Sequence, residues 1–345
     1  MPHAYPILVN VLLVGLMLRS RRRLAWMLPG PLVAMMVALP VSSSRTHALF
    51  ATMQGIAWFA LLYVPVLALW ETARPRRAMT TRARILLGGL GISAASIGAW
   101  ATMVEPFRLE VSHVAVPSVD GTVRIALLAD LQTDAAGAAE QRALDAVRAS
   151  APDLIVFAGD YVQVQENAAY IEQAAALAGM IRSLDAPLGL WAVRGDVDAD
   201  HWELVFAGSG AHVITASETF SLTLPGGRPF SLTALTPHDS RAPHPPIPQR
   251  VGLHVVFGHA PDYALANPPA DILLAGHTHG GQIRVPGFGP LLTMSAVPRA
   301  WAAGVTAMPS GATLVVSRGI GMERLDAPRV RLFCRPEVVI IDIGR

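Results

Sequence analysis

From residue 123 onward, five short apolar runs each end abruptly on an aspartate or a histidine. Val123–Ala129 leads into Asp130, and Leu154–Ala158 into Gly159-Asp160. Leu188–Val193 leads into Gly195-Asp196, His254–Phe257 into Gly258-His259, and Ile272–Leu274 into Gly276-His277. The runs are β-rich and short, so they read as buried strands. Ala138–Ala149 and Ala168–Ser183 between them carry helical spacing. Strands alternating with helices imply an α/β domain, and ligands of open α/β sheets bind beyond the carboxyl ends of the strands. One aspartate at a strand end is usually a helix cap. Acids and imidazoles at five ends instead build one cluster of oxygen and nitrogen ligands, which suits divalent metals.

Further strands are expected at Leu109–Val116, Thr313–Ser317, Val330–Cys334 and Val338–Ile343. Phe220–Leu224 and Phe230–Leu235 flank Pro225-Gly226-Gly227 and read as a hairpin. Arg241–Pro248 is proline-rich and reads as an exposed loop.

Ahead of this domain, residues 1–105 hold four apolar stretches: Tyr5–Leu18, Leu24–Val41, Ala48–Trp70 and Ile85–Val104. The last two match the roughly 20 residues of a spanning helix; the first is short, and Pro29-Gly30-Pro31 interrupts the second. Only 15% of the 345 residues are charged, against about 25% in a soluble domain. The expected architecture is therefore an all-α membrane anchor of about four helices over residues 1–105, followed by an α/β domain over 106–345. Arg19 and Arg21-Arg22-Arg23 follow the first stretch, and Arg74, Arg76, Arg77, Arg82 and Arg84 separate the third from the fourth. Arg-rich short loops stay cytoplasmic, so the α/β domain is expected on the extracytoplasmic side of the cell membrane. Gly91 with Ala95 and Ala94 with Gly98 allow close helix packing, expected within the anchor rather than between copies. The basic charge lies in the anchor, so no nucleic-acid-binding surface is evident. Cys334 is the only cysteine, which excludes an intrachain disulfide and a cysteine-based zinc site. A transporter would need ionisable residues at the centres of the spans, and there are none.

The motifs Asp130-Leu131-Gln132, Gly159-Asp160, Gly195-Asp196-Val197-Asp198, Gly258-His259 and Gly276-His277-Thr278-His279 resemble, in order, those of the calcineurin-like metallophosphoesterases. Gly280-Gly281-Gln282, Ser317-Arg318-Gly319-Ile320-Gly321, Arg331-Leu332-Phe333 and Arg335-Pro336-Glu337 resemble a membrane-anchored bacterial branch of that family. The resemblance covers residues 109–345 and implies an α/β/β/α sandwich and hydrolysis of a phosphoester. It implies two divalent metals, Mn foremost, with Mg, Fe or Zn as other occupants. Asp130, Asp160 and His279, with Gln132 as a further ligand, would hold the first. Asp160, Asp196, His259 and His277 would hold the second, with Asp160 bridging and Asp160, Asp196 and His277 carrying the chemistry. Such a pair can polarise a phosphoryl group and make a hydroxide nucleophile at neutral pH.

Three departures stand out. Gln132 replaces a ligand histidine and tilts the first site from Zn toward Mn or Mg. Asp196 replaces an asparagine, so three carboxylates face two divalent ions and the formal charge falls from +2 to +1. Val197 replaces a histidine that assists the leaving group, which typically costs about 10²–10⁴ in rate. The last two imply a preference for phosphodiesters, or esters with good leaving groups. The rival is a metal-binding but inactive membrane sensor or scaffold. The expected partners are the lipid bilayer and a phosphoester substrate of lipid or envelope origin. Arg194 reads equally as a phosphate contact or a salt bridge, Asp134 and Asp198 as helix caps or supports of the ligands, and His201 as a surface residue ahead of a replacement acid.

Overall fold

Pro65 interrupts a long apolar helix without ending it. In the computed structural model, which describes residues 45–74 and 79–344, helix α1 (Arg45–Trp58) passes through a π turn at Phe59–Tyr63 into α2 (Val64–Ala73). Proline has no N–H and crowds the carbonyl four residues back, here that of Leu61. The π turn widens the helix at this point and accommodates the ring. Helix α3 (Thr81–Ala99) is capped by Thr80, whose hydroxyl accepts the Ala83 N–H at 3.2 Å. A Cβ on Gly98 would lie 2.8 Å from the Leu61 carbonyl oxygen, and Gly91 faces Ala68 and Leu69. The small residues of α3 thus pack against the α1–α2 helix. Leu49–Ala73 and Thr81–Phe107, of 25 and 27 residues, are long and apolar enough to cross a membrane. The stretches Tyr5–Leu18 and Leu24–Val41, with Arg19, Arg21, Arg22, Arg23, Arg76 and Arg77, lie outside the described residues. Helices α1–α3 belong with Glu323–Arg329 to one compact unit; Glu105–Met322 and the chain from Val330 onward form the other.

The strands of the second unit are β1 (Glu110–Val116), β2 (Val123–Leu128), β3 (Leu154–Phe157), β4 (Leu190–Val193), β5 (His212–Ile214), β6 (Glu218–Thr223) and β7 (Pro229–Ala234). They continue as β8 (Leu253–Phe257), β9 (Ile272–Ala275), β10 (Arg284–Val285), β11 (Gly289–Pro290), β12 (Gly304–Ala307), β13 (Thr313–Val316) and β14 (Glu337–Ile343). Two six-stranded sheets form, in the orders β1-β14-β2-β3-β4-β5 and β12-β13-β9-β8-β7-β6. Strands β2 to β5 are parallel in the first sheet, with β14 inserted antiparallel to β2. Strands β7, β8, β9 and β13 are parallel in the second, flanked by the antiparallel edges β6 and β12.

Period-two alternation decides which side chain faces which layer. Leu154 and Val156 of β3 join Leu232, Val255 and Leu274 of the second sheet in a core between the sheets. Ile155 and Phe157 point the other way, onto α4 (Ala138–Ser150) and α5 (Asn167–Ile181), where Leu144, Val147 and Leu177 cover them. The opposite face of the second sheet carries Val256, Leu273 and Leu314 around Tyr263. Both faces of each central strand are therefore buried, which explains their continuous apolar runs.

The expected strand at Val330–Cys334 does not form. Leu332 makes an isolated bridge to Ile283. Arg331 is fully buried and turns its guanidinium onto the carbonyls of Arg318, Gly319, Gly321 and Cys334. A segment whose second residue is an inward arginine is thus a scaffold for the Gly319–Gly321 turn. Strands β5 and β12 were not expected from the sequence, while the hairpin was and is present as β6–β7.

Candidate metal centre

The carboxyl ends of β2, β3, β4, β8 and β9 carry the five polar residues that interrupt the apolar runs. Cross-strand bonds continue past the strands and hold those ends together. Asp130 N–H donates to Gly159 O at 3.0 Å, Gln132 N–H to Asp160 O at 2.9 Å, and Gly276 N–H to His259 O at 2.9 Å. The sheets are also tied to each other: Ile320 N–H donates to Ala129 O at 3.1 Å, and the His259 ring to Ala158 O at 2.8 Å. Tight spacing demands glycine at Gly195, where a Cβ would lie 2.1 Å from Asp160 Oδ1. Asp130, Gln132, Asp160, His277 and His279 all have φ between 36° and 70°. Non-glycine residues rarely adopt that left-handed region, and such backbone strain clusters at functional sites.

Two groups of ligand atoms result. Asp130, Asp160 and His279 form one, Asp160, His259 and His277 the other, and within each group the atoms lie within 4.8 Å of one another. Asp160 belongs to both. Gln132 is fully buried beside them, its amide nitrogen 3.2 Å from Asp160 Oδ2. Asp196 lies at the open edge, with Oδ2 3.2 Å from His277 Nδ1 and 3.8 Å from His259 Nε2. All seven motif residues therefore converge on one end of the sandwich.

The imidazoles are oriented as ligands. His259 Nδ1 faces the Ala158 carbonyl, leaving Nε2 toward Asp160 at 3.2 Å. His277 Nε2 lies 3.0 Å from the Met294 carbonyl, leaving Nδ1 toward the cluster. A carbonyl on the outer nitrogen fixes the tautomer that ligates with the inner one. His279 is buried, and both its ring nitrogens lack a hydrogen-bond partner. A buried unsatisfied nitrogen is costly in isolation and is explained when it ligates an ion. Burial and the nearby Arg331 charge hold His279 well below the usual histidine range, so its ring is neutral. Burial and His259 lower His277 likewise. For His259, burial alone would lower the pKa, but Asp160, Asp130 and Asp196 outweigh it and raise it to about 10. The carboxylates thus draw a proton onto His259 where a cation would serve. The residues fit divalent metals by charge, ligand type and orphaned nitrogens alike.

Asp198 supports the ligands and is not a helix cap. Its carboxylate accepts N–H groups from Asp160, Tyr161 and Gly195 at 2.7–2.8 Å, joining the ends of β3 and β4. Burial and the neighbouring Asp160 charge push it up to about 6. Arg194 pairs with Asp200 at 3.0 Å, and His201 packs its ring against Tyr170. Gly137 is the N-cap of helix α4, and its N–H is taken by Glu140, so Asp134 does not cap it.

One functional candidate was not singled out from the sequence. Arg241, read as part of an exposed loop, bonds Asp196 Oδ2 through Nη2. No sequence signal marks it: its place at the cluster follows from the parallel pairing of β7 with β8, which turns the carboxyl end of β7 toward the same site.

An α/β sandwich with carboxylates and imidazoles gathered at its strand ends presents a candidate metal centre. Residues 123–281 match the calcineurin-like phosphoesterase family, and the chain carries a metallophosphoesterase domain of that family. The uncharacterised metallophosphoesterase YkuE of Bacillus subtilis strain 168 is 29% identical over 212 residues, covering 57% of this chain and 70% of YkuE. The phosphodiesterase YaeI of Escherichia coli K12 is 33% identical over 102 residues, covering 29% of this chain and 35% of YaeI.

Proposed function

We propose that this chain is a membrane-anchored, metal-dependent phosphoester hydrolase with a preference for diesters, its α/β domain on the extracytoplasmic side. The observation that carries the reading is the pair of carboxylate–imidazole groups sharing Asp160, with both His279 nitrogens orphaned beside it. Asp130, Gln132, Asp160 and His279 hold one divalent ion, and Asp160, Asp196, His259 and His277 the other. When bound, such ions polarise a phosphoryl oxygen and lower the pKa of water. Mn is the favoured occupant, because carboxylate, imidazole and amide oxygen together form a harder set than zinc selects.

The chain's own residues then set specificity. Val197 gives its backbone N–H to Asp160 Oδ1 at 2.9 Å and has no side-chain proton for a departing oxygen. A leaving group must therefore depart without help at that position, which penalises alkoxides most. The name of YaeI, a phosphodiesterase, agrees with this direction. Helices Leu49–Ala73 and Thr81–Phe107 support the anchor, and Arg74, Arg82 and Arg84 at their adjoining ends support its orientation. The bilayer and an envelope phosphoester follow as partners. Comparing kcat/KM for an aryl phosphodiester and an alkyl phosphomonoester tests the preference. The diester should be favoured; a clear monoester preference contradicts the role given to Val197.

A further inference from the structure

Arg241 is a cation at the cluster that the family motifs do not account for, and its backbone is firmly held. After β7, Leu235 N–H donates to Phe257 O at 2.9 Å, and Thr236 caps the single-turn helix α6 (Pro237–Ser240). Ser240 is fully buried, and its Oγ accepts the Ala260 N–H at 3.3 Å. A Cβ on Gly258 would lie 2.8 Å from Ser240 Cβ, so that glycine lets the turn settle directly beside His259. Arg241 follows immediately and extends to Asp196, whose Oδ2 accepts its Nη2. The same nitrogen lies 2.9 Å from His277 Nε2. With the His277 proton directed at Met294 O, that second contact is not a hydrogen bond, and Asp196 is the acceptor. The two side chains are 40% and 31% exposed, which places the pair at the mouth of the site, where a substrate would enter.

Charge supplies the second argument. Asp196 leaves two divalent ions facing three carboxylates, a formal +1. The Arg241 guanidinium restores +2. It also has five N–H donors in a planar fork, and one of its nitrogens is engaged by Asp196. We infer that Arg241 is a substrate-binding residue that neutralises Asp196 and offers its remaining donors to the non-bridging oxygens of the phosphoryl group. This rests on the phosphoester reading above. It also removes net charge as a cause of diester preference and leaves that preference to Val197.

Inorganic phosphate is the probe. Its binding to the full-length, Mn-loaded protein is measured by calorimetry for wild type, Arg241→Gln, Arg241→Lys and Asp196→Asn/Arg241→Gln, with Mn affinity determined for each. Arg241→Gln should weaken phosphate binding by about 10- to 100-fold, the range for hydrogen bonds to a charged group. Arg241→Lys should recover part of that loss by charge without the fork. The double variant, with both charges removed, should bind phosphate more tightly than Arg241→Gln. Unchanged phosphate affinity in Arg241→Gln, or tighter Mn binding as the sole effect, overturns the assignment, since Arg241 would then only fill space near the metals. A wild type that binds phosphate but hydrolyses no ester contradicts the hydrolase reading alone, and the Arg241→Gln comparison still decides the assignment.

Discussion

His259 lies among three carboxylates, and its charge state reports whether metal is present. In the metal-free protein those carboxylates outweigh burial and raise its pKa to about 10, against an ordinary value near 6.5. A raised folded-state pKa contributes stability that is fully present below pH 6.5 and is lost as pH climbs through 10. Metal-free protein should therefore melt at progressively lower temperature between pH 7 and 10. Ligation requires the neutral ring, so loading releases a proton, and Mn affinity should rise by up to about one log unit per pH unit in that window. Calorimetry in buffers of different ionisation enthalpy measures the proton released; a pH-independent affinity from 6.5 to 9 contradicts this account. Residue types and spacing alone suggested five of the seven candidate ligands, because each follows an apolar run; Gln132 and His279 entered only through the resemblance of their motifs to the family. Arg241 was not legible, since it sits in a proline-rich stretch and only the parallel pairing of β7 with β8 aims it at the cluster. Arg331 was hidden for a different reason: it is buried among carbonyls rather than charges, and no sequence pattern announces that environment.

Strand ends, rather than strands, carry the precision of this fold. Asp198 joins β3 to β4 by accepting three backbone N–H groups. Tyr161 adds to the same junction, its hydroxyl donating to Val193 O at 2.6 Å. In Asp198→Asn, an amide nitrogen would face at least one of those donors, leaving it buried and unsatisfied. That costs about 1–3 kcal/mol per group, so the thermal midpoint of the metal-free protein should fall by several degrees. Mn affinity should fall as well, because the Asp160 backbone is no longer fixed. An unaltered midpoint and affinity would show that the strand ends hold their geometry without Asp198. The central strands were readable because both faces are buried and each run ends on a polar residue. Two of the edges were not: β5 has three residues, and β12 is largely exposed, so neither has an apolar run to read.

For the whole molecule, the two long apolar helices and the metal-centred sandwich assign separate tasks to separate parts of one chain. The arginine-based orientation predicts that a reporter active only outside the membrane works when fused after residue 345 and fails when fused near residue 77. The opposite pair of results reverses the orientation without touching the chemistry. The chemistry is tested most directly by stripping the full-length protein of metal, adding Mn, and following hydrolysis of an aryl phosphodiester in wild type and Asp160→Asn. The account predicts hydrolysis by wild type only after Mn is restored, and none by Asp160→Asn, whose amide cannot serve both ligand groups. Equal hydrolysis with and without metal, or wild-type rates in Asp160→Asn, would contradict it.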